Sequence, residues 1–167
     1  MKFALYDLEV AVQKEWKVAI GPKTEYKSGM VAFKPSSNPN ESLDLLWEDL
    51  TKHKEKNPNV ESFMEQYFSN MKKNPDMKSF EVTKGEVITR GEHSFLPHEF
   101  TYTFKRYMRK GFAQKIIGIS MYDLHSNRFA IFYTKINTEK GHVDEQALRA
   151  AISSLNCTCE DKIQTPI

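Results

Sequence analysis

Cysteine is scarce in this sequence of 167 residues, which contains only Cys157 and Cys159. Two cysteines cannot build a disulfide framework, and a bridge between residues two apart would be strained. A structural zinc site needs four ligands, and no CxxC or HxxxH pattern is present to complete one. We therefore expect two free thiols at the end of a helix, with no metal and no cofactor.

A long apolar stretch is also missing. A signal peptide needs roughly 7–15 consecutive apolar residues, but Asp7 and Glu9 interrupt the N-terminal segment MKFALYDLEVAVQKEW. No window approaches the roughly 20 apolar residues of a membrane-spanning helix. These absences predict a cytoplasmic protein with no membrane contact.

Neither sign of charge dominates, because 24 basic and 22 acidic residues leave a formal net charge of +2. An obligate nucleic-acid binder usually has a strong basic excess, so the composition argues against nucleic acid as a partner. Apolar residues make up 40% of the chain, which is enough for one core. We predict a single α+β domain over residues 1–157 and a polar tail over residues 158–167.

Catalytic motifs are absent as well. The sequence has no GxSxG, P-loop, GxGxxG or HExxH pattern. Neighbouring acids such as Glu48 and Asp49, or Asp144 and Glu145, point in different directions and cannot act as a pair. These absences favour a protein without enzymatic activity but do not exclude an enzyme.

Alternating apolar residues predict strands in the first fifty residues. One strand with a short break is predicted over residues 2–20, where Leu8 and Val10 recur with a period of two, and another over residues 29–33. Residues 42–50, SLDLLWEDL, fit either a helix or a strand. We favour a strand, because this run and the preceding one flank a polar loop, as in a hairpin.

Helical spacing of apolar residues occurs twice. It predicts one helix over residues 60–71, after an N-cap within residues 57–59, and a second over residues 144–156. Strands are predicted between them over residues 80–87, 99–107, 112–121 and 128–136. The order β-β-β-α-β-β-β-β-α with short connections indicates a mainly antiparallel sheet covered by helices.

Three segments resemble the PsbP-like superfamily. An early strand ends in a Trp turn (VAVQKEWKVAI), a glycine-punctuated strand follows the central helix (VTKGEVITRGEHSF), and a late strand leads into a final helix (RFAIFYTKI to ISSLNC). The resemblance covers about residues 1–157 and rests on burial patterns. It implies an α/β/α sandwich in which a central and a C-terminal helix flank a mainly antiparallel sheet.

That superfamily includes an extrinsic subunit of photosystem II and a nuclear-transport factor that binds the GTPase Ran. Its members are mostly binding or assembly factors without catalytic residues. No functional residues can be carried over position by position, and no Ran-binding surface is identified here. Fold likeness is in any case a weak warrant for function.

The histidines His93 and His98 stand five apart in GEHSFLPHEF. With Glu92 or Glu99 they could form a metal or acid–base pair. Their spacing matches no standard metal motif, so we expect ordinary surface histidines, or at most one that is buried and hydrogen-bonded.

A basic cluster could contact phosphate or RNA, with a tyrosine available for stacking. The alternative, which we favour, is a solvated hairpin tip protected by its charge. The cluster consists of Lys105, Arg106, Tyr107, Arg109 and Lys110.

Aromatic residues are abundant and alternate along two of the predicted strands. They could line a cavity for a hydrophobic ligand, or pack against the two helices, which we prefer. The candidate lining residues are Phe100, Tyr102, Phe104, Phe129, Ile131 and Tyr133.

The resemblance and the missing catalytic motifs together favour a non-catalytic cytoplasmic protein–protein interaction module. The alternative is a carrier of a small hydrophobic ligand in an aromatic-lined cavity. A weaker alternative is an RNA-binding accessory protein that uses the basic cluster. The protein partner is unknown, and an unpaired edge strand would also permit a homodimer.

Overall fold

A computed structural model describes residues 1–35, 42–104, 113–137 and 143–159. The elements in these ranges are β1 (Lys2–Leu5), β2 (Leu8–Ala11), β3 (Lys17–Ile20), β4 (Gly29–Lys34), β5 (Leu43–Asp49), α1 (Val60–Lys72), β6 (Met77–Lys84), β7 (Ile88–Arg90), β8 (His93–Phe104), β9 (Ala113–Asp123), β10 (Arg128–Asn137), α2 (Glu145–Ser153) and β11 (Asn156–Cys157).

Eight strands form one large antiparallel sheet in the order β3-β4-β5-β10-β9-β8-β6, with β7 also paired to β8. Successive strand residues point to opposite faces. Accordingly, Ile116 of β9 packs in the cluster that contains α1, whereas its neighbour Ile117 packs in the cluster that contains α2. One helix thus covers each face, which confirms the predicted α+β sandwich with an antiparallel sheet. We call the two sides the α1 face and the α2 face.

Helix α1 begins and ends where the sequence indicates. The Asn59 side chain accepts a hydrogen bond from the backbone N–H of Ser62 at 2.9 Å, and the Ser62 side chain interacts with the Asn59 backbone in return. This reciprocal cap satisfies N–H groups that the first turn leaves without helical partners. Val60, Met64 and Phe68 are buried on one side. Neither α1 nor any other helix in the described ranges is long and apolar enough to cross a membrane.

The first twenty residues form three strands, which corrects the prediction of one interrupted strand. Tyr6 and Asp7 both have positive φ, 52° and 67°, between the paired residues Leu5 and Leu8. Positive φ at both loop residues is typical of a tight two-residue hairpin turn. The β1–β2 hairpin joins β11 in a separate three-stranded sheet. Of these first three strands, only β3 belongs to the large sheet.

Other boundaries also differ from the prediction. Residues 42–50 do contain a strand, β5, as favoured from the hairpin pattern. The last helix ends at Ser153, and β11 follows where a continuing helix was predicted. Thr158 and Cys159 were assigned to the tail, but the Thr158 N–H donates to the Asp7 carbonyl at 2.8 Å and Cys159 is buried. Residues 160–167 lie outside the described ranges.

Strand β8 starts six residues earlier than predicted, despite Pro97 within it. Proline lacks an N–H and is normally excluded from paired strands. On the edge of β8 that faces away from β9, residues 98–104 pair with β6 and residues 93–95 pair with β7. Pro97 lies between these two paired segments. Its carbonyl still accepts a hydrogen bond from the Gly85 N–H at 2.9 Å.

Gly29 in β4 permits close packing of an aromatic ring, and its replacement should destabilise the protein. A Cβ at this position would lie 2.5 Å from Cζ2 of Trp47 and 2.8 Å from Cγ2 of Thr24. The Trp47 indole is held by a hydrogen bond to the Glu25 carbonyl. We expect Gly29→Ala to lower the free energy of unfolding by about 1–3 kcal/mol, measured by urea denaturation. Gly85→Ala, where the nearest atom is 3.3 Å away, should cost less, and an equal loss in both variants would contradict this interpretation.

Candidate functional site

Two cysteines, a histidine and an aspartate meet at one end of the large sheet, on the α2 face. His93, the first residue of β8, is paired in register with Asp123, the last residue of β9. Cys157 lies in β11, and Cys159 follows two positions later. All four side chains are buried. We call these four residues the Cys-His-Asp cluster.

The reactive atoms of the Cys-His-Asp cluster are close together. Cys159 Sγ lies 3.4 Å from Nε2 of His93 and 2.9 Å from Cys157 Sγ. His93 Nδ1 lies 3.3 Å from Oδ1 of Asp123, and Cys157 Sγ lies 3.6 Å from Oδ2 of the same carboxylate. One ligand atom from each residue lies within 4.8 Å of the other three. Thiol, imidazole and carboxylate groups so arranged can exchange protons or bind a metal ion.

Arg128, the first residue of β10, compensates the negative charge of the buried Asp123 carboxylate. Its side chain is fully buried, and Nη2 lies 3.6 Å from Oδ2 of Asp123. Nη1 donates to the carbonyls of Tyr6 and Tyr26, so the guanidinium also ties two loops to the sheet. Nε donates to the hydroxyl of Ser126, which itself donates to the Asp123 carboxylate.

Mutual hydrogen bonds strongly perturb the acids and bases here. The bonds from His93 to Asp123 and to Cys157 raise the pKa of the imidazole to about 10, although burial acts in the opposite direction. Burial raises the pKa of the Asp123 carboxyl, but the bonds from His93 and Ser126 outweigh it and hold that pKa well below its usual range. Burial raises the pKa of the Cys157 thiol.

Cys159, His93 and Asp123 are ordered like a nucleophile, its base and the group that orients the base. Cys159 is only 5% exposed and Asp123 is fully buried. A substrate would have to open the core to reach the sulfur. The geometry therefore favours a structural role for this cluster over nucleophilic catalysis.

The expectations for these residues need correction. His93 and His98 are both buried, and they point to opposite faces of the sheet. Their predicted acid partner Glu99 instead binds Lys115 and Arg149. The two cysteines were expected at the end of a helix, but Cys157 lies in strand β11, with Cys159 two residues after it. Residues two apart in an extended segment point to the same side. The spacing of Cys157 and Cys159 was therefore the sequence signal that their side chains lie together.

The aromatic residues predicted to line a pocket lie together on the α1 face. Phe100, Tyr102 and Phe129 are buried there, and Phe104, Ile131 and Tyr133 pack against them partly exposed. They pack against α1 rather than against both helices. Phe63 of α1 stacks on Phe129 with ring centroids 3.9 Å apart. Most of this aromatic surface is therefore core.

A cleft remains open between α1 and strands β5 and β10. Its cavity volume is about 290 Å³. It is lined by Leu46, Trp47, Glu48, Phe63, Met64, Tyr67, Phe129, Ile131 and Tyr133. Three of the predicted lining residues, Phe129, Ile131 and Tyr133, are among these. The alternation of aromatic residues along the strands did not predict that α1 and β5 also line the cleft. We call this space the α1 cleft.

Burial raises the pKa of three acidic side chains near the α1 cleft. Burial, with a smaller contribution from the Asp44 carboxylate, raises the pKa of Tyr133 to about 12. Burial also raises the pKa of Tyr67 and that of Asp44. At neutral pH the tyrosine hydroxyls remain hydrogen-bond donors. Nothing in this arrangement activates a nucleophile.

His98 lies deeper on the same face, beneath α1. Its ring contacts Phe68 and Phe100, and its Nδ1 lies 3.1 Å from the Leu96 carbonyl. Its Nε2 has no hydrogen-bond partner among the described residues. Gly118 faces it, and a Cβ there would lie 2.8 Å from Nε2. Burial lowers the pKa of this imidazole to about 4, so it is neutral at physiological pH.

The predicted basic cluster lies outside the described ranges. Lys105, Arg106, Tyr107, Arg109 and Lys110 all fall within the interval between residues 104 and 113. Their role in binding therefore stays a prediction.

The order of elements, the antiparallel sheet and one helix on each face define a PsbP-like α+β fold. The solution structure of cyanobacterial PsbP (CyanoP) from Synechocystis sp. PCC 6803 shares it, with a TM-score of 0.59. The match covers 94% of this chain and 91% of that chain at 9% sequence identity. No protein-family model matches the chain, and no curated protein is similar to it in sequence. Likeness at this identity shows the fold alone, and it confirms the PsbP-like resemblance.

Proposed function

We propose that this protein is a non-catalytic module that binds a partner protein through the α1 cleft. The observation that supports this proposal is an apolar cleft between α1 and the large sheet. Tyr67 at its rim is 41% exposed, and Met30, which neighbours Leu46 in the sheet register, is 43% exposed. Apolar side chains that stay accessible beside an unfilled cleft are typical of protein interaction surfaces.

The open shape of the α1 cleft, more than its volume, favours an apolar side chain of a protein over a free small ligand. Ligand pockets usually have volumes of roughly 300–1,000 Å³ and enclose most of the ligand. The α1 cleft has about 290 Å³ and is open to solvent. A second space nearby, lined by Met71 and Tyr102 among others, has about 140 Å³. Phe63 and Phe129 stack on each other at the wall of the cleft, so no ligand fits between these two rings.

The other readings have less support. A catalytic function has no support from the sequence motifs or from the groups that line the α1 cleft. RNA binding would depend on residues outside the described ranges, and the net charge of +2 does not favour it. We also propose a cytoplasmic location, which the scarcity of cysteine in the sequence supports, because disulfide-dependent domains belong to oxidising compartments.

Site-specific photocrosslinking in the native cell tests this proposal. Tyr67 is replaced by the photoreactive residue p-benzoylphenylalanine, with Tyr6 as a matched control that is 38% exposed on the opposite side of the sheet. We expect one discrete polypeptide adduct at Tyr67 and none at Tyr6. Ile131→Trp fills the α1 cleft with an indole and should reduce the adduct at least tenfold.

Three outcomes would overturn the proposal. One is an equal yield at Tyr6, which would mean that capture is nonspecific. Another is an adduct that survives Ile131→Trp. The third is an adduct of small-molecule mass in native mass spectrometry, which would instead support the hydrophobic-ligand carrier.

A further inference from the structure

The Cys-His-Asp cluster has the atomic spacing of a tetrahedral metal site. Zinc bonds of about 2.3 Å to sulfur and about 2.0–2.2 Å to nitrogen and oxygen place neighbouring ligand atoms roughly 3.3–3.8 Å apart. Cys159 Sγ and His93 Nε2 are 3.4 Å apart, and Cys157 Sγ and Asp123 Oδ2 are 3.6 Å apart. The two sulfur atoms, at 2.9 Å, are closer than this range, and Cys159 Sγ and Asp123 Oδ2, at 3.9 Å, are slightly farther apart. Zinc binding therefore requires the two sulfur atoms to move apart.

The chemistry of the four donors selects the metal. Two thiolates, one imidazole and one carboxylate suit Zn²⁺, which prefers sulfur and nitrogen ligands in tetrahedral geometry. Hard ions such as Mg²⁺ and Ca²⁺ require oxygen ligands instead. Four protein ligands also complete the tetrahedron and leave no position for a substrate, as in structural zinc sites.

Arg128 accounts for the charge of such a site. Two thiolates and the Asp123 carboxylate carry three negative charges, and a divalent ion and the guanidinium of Arg128 carry three positive charges. Nη2 of Arg128 lies 3.6 Å from Oδ2 of Asp123 and 4.0 Å from Sγ of Cys157. The buried region is then neutral, which matters because an uncompensated charge is costly to bury.

We propose that the Cys-His-Asp cluster binds one structural Zn²⁺ ion. The ion ties β11, in the small sheet, to the ends of β8 and β9 in the large sheet. The chain that follows α2 is thereby fastened to the core at Cys157 and Cys159. Binding displaces three protons to solvent, one from each thiol and one from the His93 imidazolium, so the site stabilises the fold only in its deprotonated form. The site is independent of partner binding, because the α1 cleft lies on the other face.

Metal titration of the full chain under reducing conditions tests the site. The protein is treated with a chelator, dialysed, and titrated with Zn²⁺ and separately with Co²⁺. We expect one Zn²⁺ per chain by native mass spectrometry. Co²⁺ should produce the intense visible absorption of a tetrahedral centre together with a sulfur-to-cobalt charge-transfer band. These readouts use the wild-type chain, so they do not depend on a variant that folds poorly.

Matched variants identify the ligands. Cys157→Ser and His93→Gln should each lower the affinity for Zn²⁺ at least tenfold. His125→Gln, which changes an exposed histidine, should leave it unchanged. The proposal is overturned if the wild-type chain binds no Zn²⁺, or if binding survives replacement of both cysteines. It is also overturned if anaerobically isolated protein contains a Cys157–Cys159 disulfide, or if Cys159 is alkylated rapidly in the zinc-loaded chain.

Discussion

Replacing Arg128 with methionine is expected to lower the free energy of unfolding by about 3–5 kcal/mol. The variant keeps the length and apolar stem of the side chain but leaves the Asp123 carboxylate buried without its cation. It also leaves the carbonyls of Tyr6 and Tyr26 without their donor. Since a domain is stabilised by only about 5–15 kcal/mol, this loss would be a large fraction of the total.

Urea denaturation followed by circular dichroism measures the effect. Arg149→Met is the matched control, because Arg149 binds Glu99 and Glu145 with a side chain that is 45% exposed. Exposed ion pairs usually contribute under about 1 kcal/mol. Asp123→Asn in the Arg128→Met background should recover part of the loss, since it removes the uncompensated charge. Equal losses of unfolding free energy for Arg128→Met and Arg149→Met would contradict the prediction, because the buried ion pair would then contribute no more than the exposed one.

Acidification is expected to destabilise the fold through His98. Its pKa of about 4 in the folded chain lies below the ordinary value of 6.5. Between these values the unfolded chain binds the proton more readily, so the free energy of unfolding falls as pH falls from about 6.5 to about 4. The full pKa difference corresponds to roughly 3 kcal/mol. The stabilisation is fully present above pH 6.5 and is lost below pH 4.

The comparison of two variants isolates this contribution from that of the carboxylates. His98→Leu removes the titrating group from among Phe68, Phe100 and Gly118 and should flatten the pH profile of stability across this window. His125→Gln should retain the wild-type slope. Urea denaturation at several pH values between 4 and 7 provides the measurement. A wild-type slope in His98→Leu would mean that this imidazole does not govern acid lability.

Local patterns in the sequence were enough to predict the elements that form from residues close together in the chain. The cap at Asn59 and the apolar stripe from Val60 located α1, because a helix buries residues three and four apart. Short apolar runs flanking a polar loop located β5. The two-residue turn at Tyr6 and Asp7 was missed, because it contains no glycine and a tyrosine rarely adopts positive φ.

The Cys-His-Asp cluster could not be predicted, because its members are distant in sequence. His93 and Asp123 are separated by an entire hairpin, and Cys157 and Cys159 follow a further strand and helix. The register of β8 against β9 decides that His93 faces Asp123. A shift of one residue would move either side chain to the opposite face. No spacing rule along the chain contains that information.

By itself, the sequence determined the α+β class, the location of both helices and most strands, and the PsbP-like resemblance. These follow from the periodic burial of apolar side chains, which is a local property. Only the tertiary structure decided that the aromatic strands pack against α1 and leave the α1 cleft open. It alone brought a buried arginine, two thiols, an imidazole and a carboxylate together, because strand pairing and helix packing join residues that no local pattern relates.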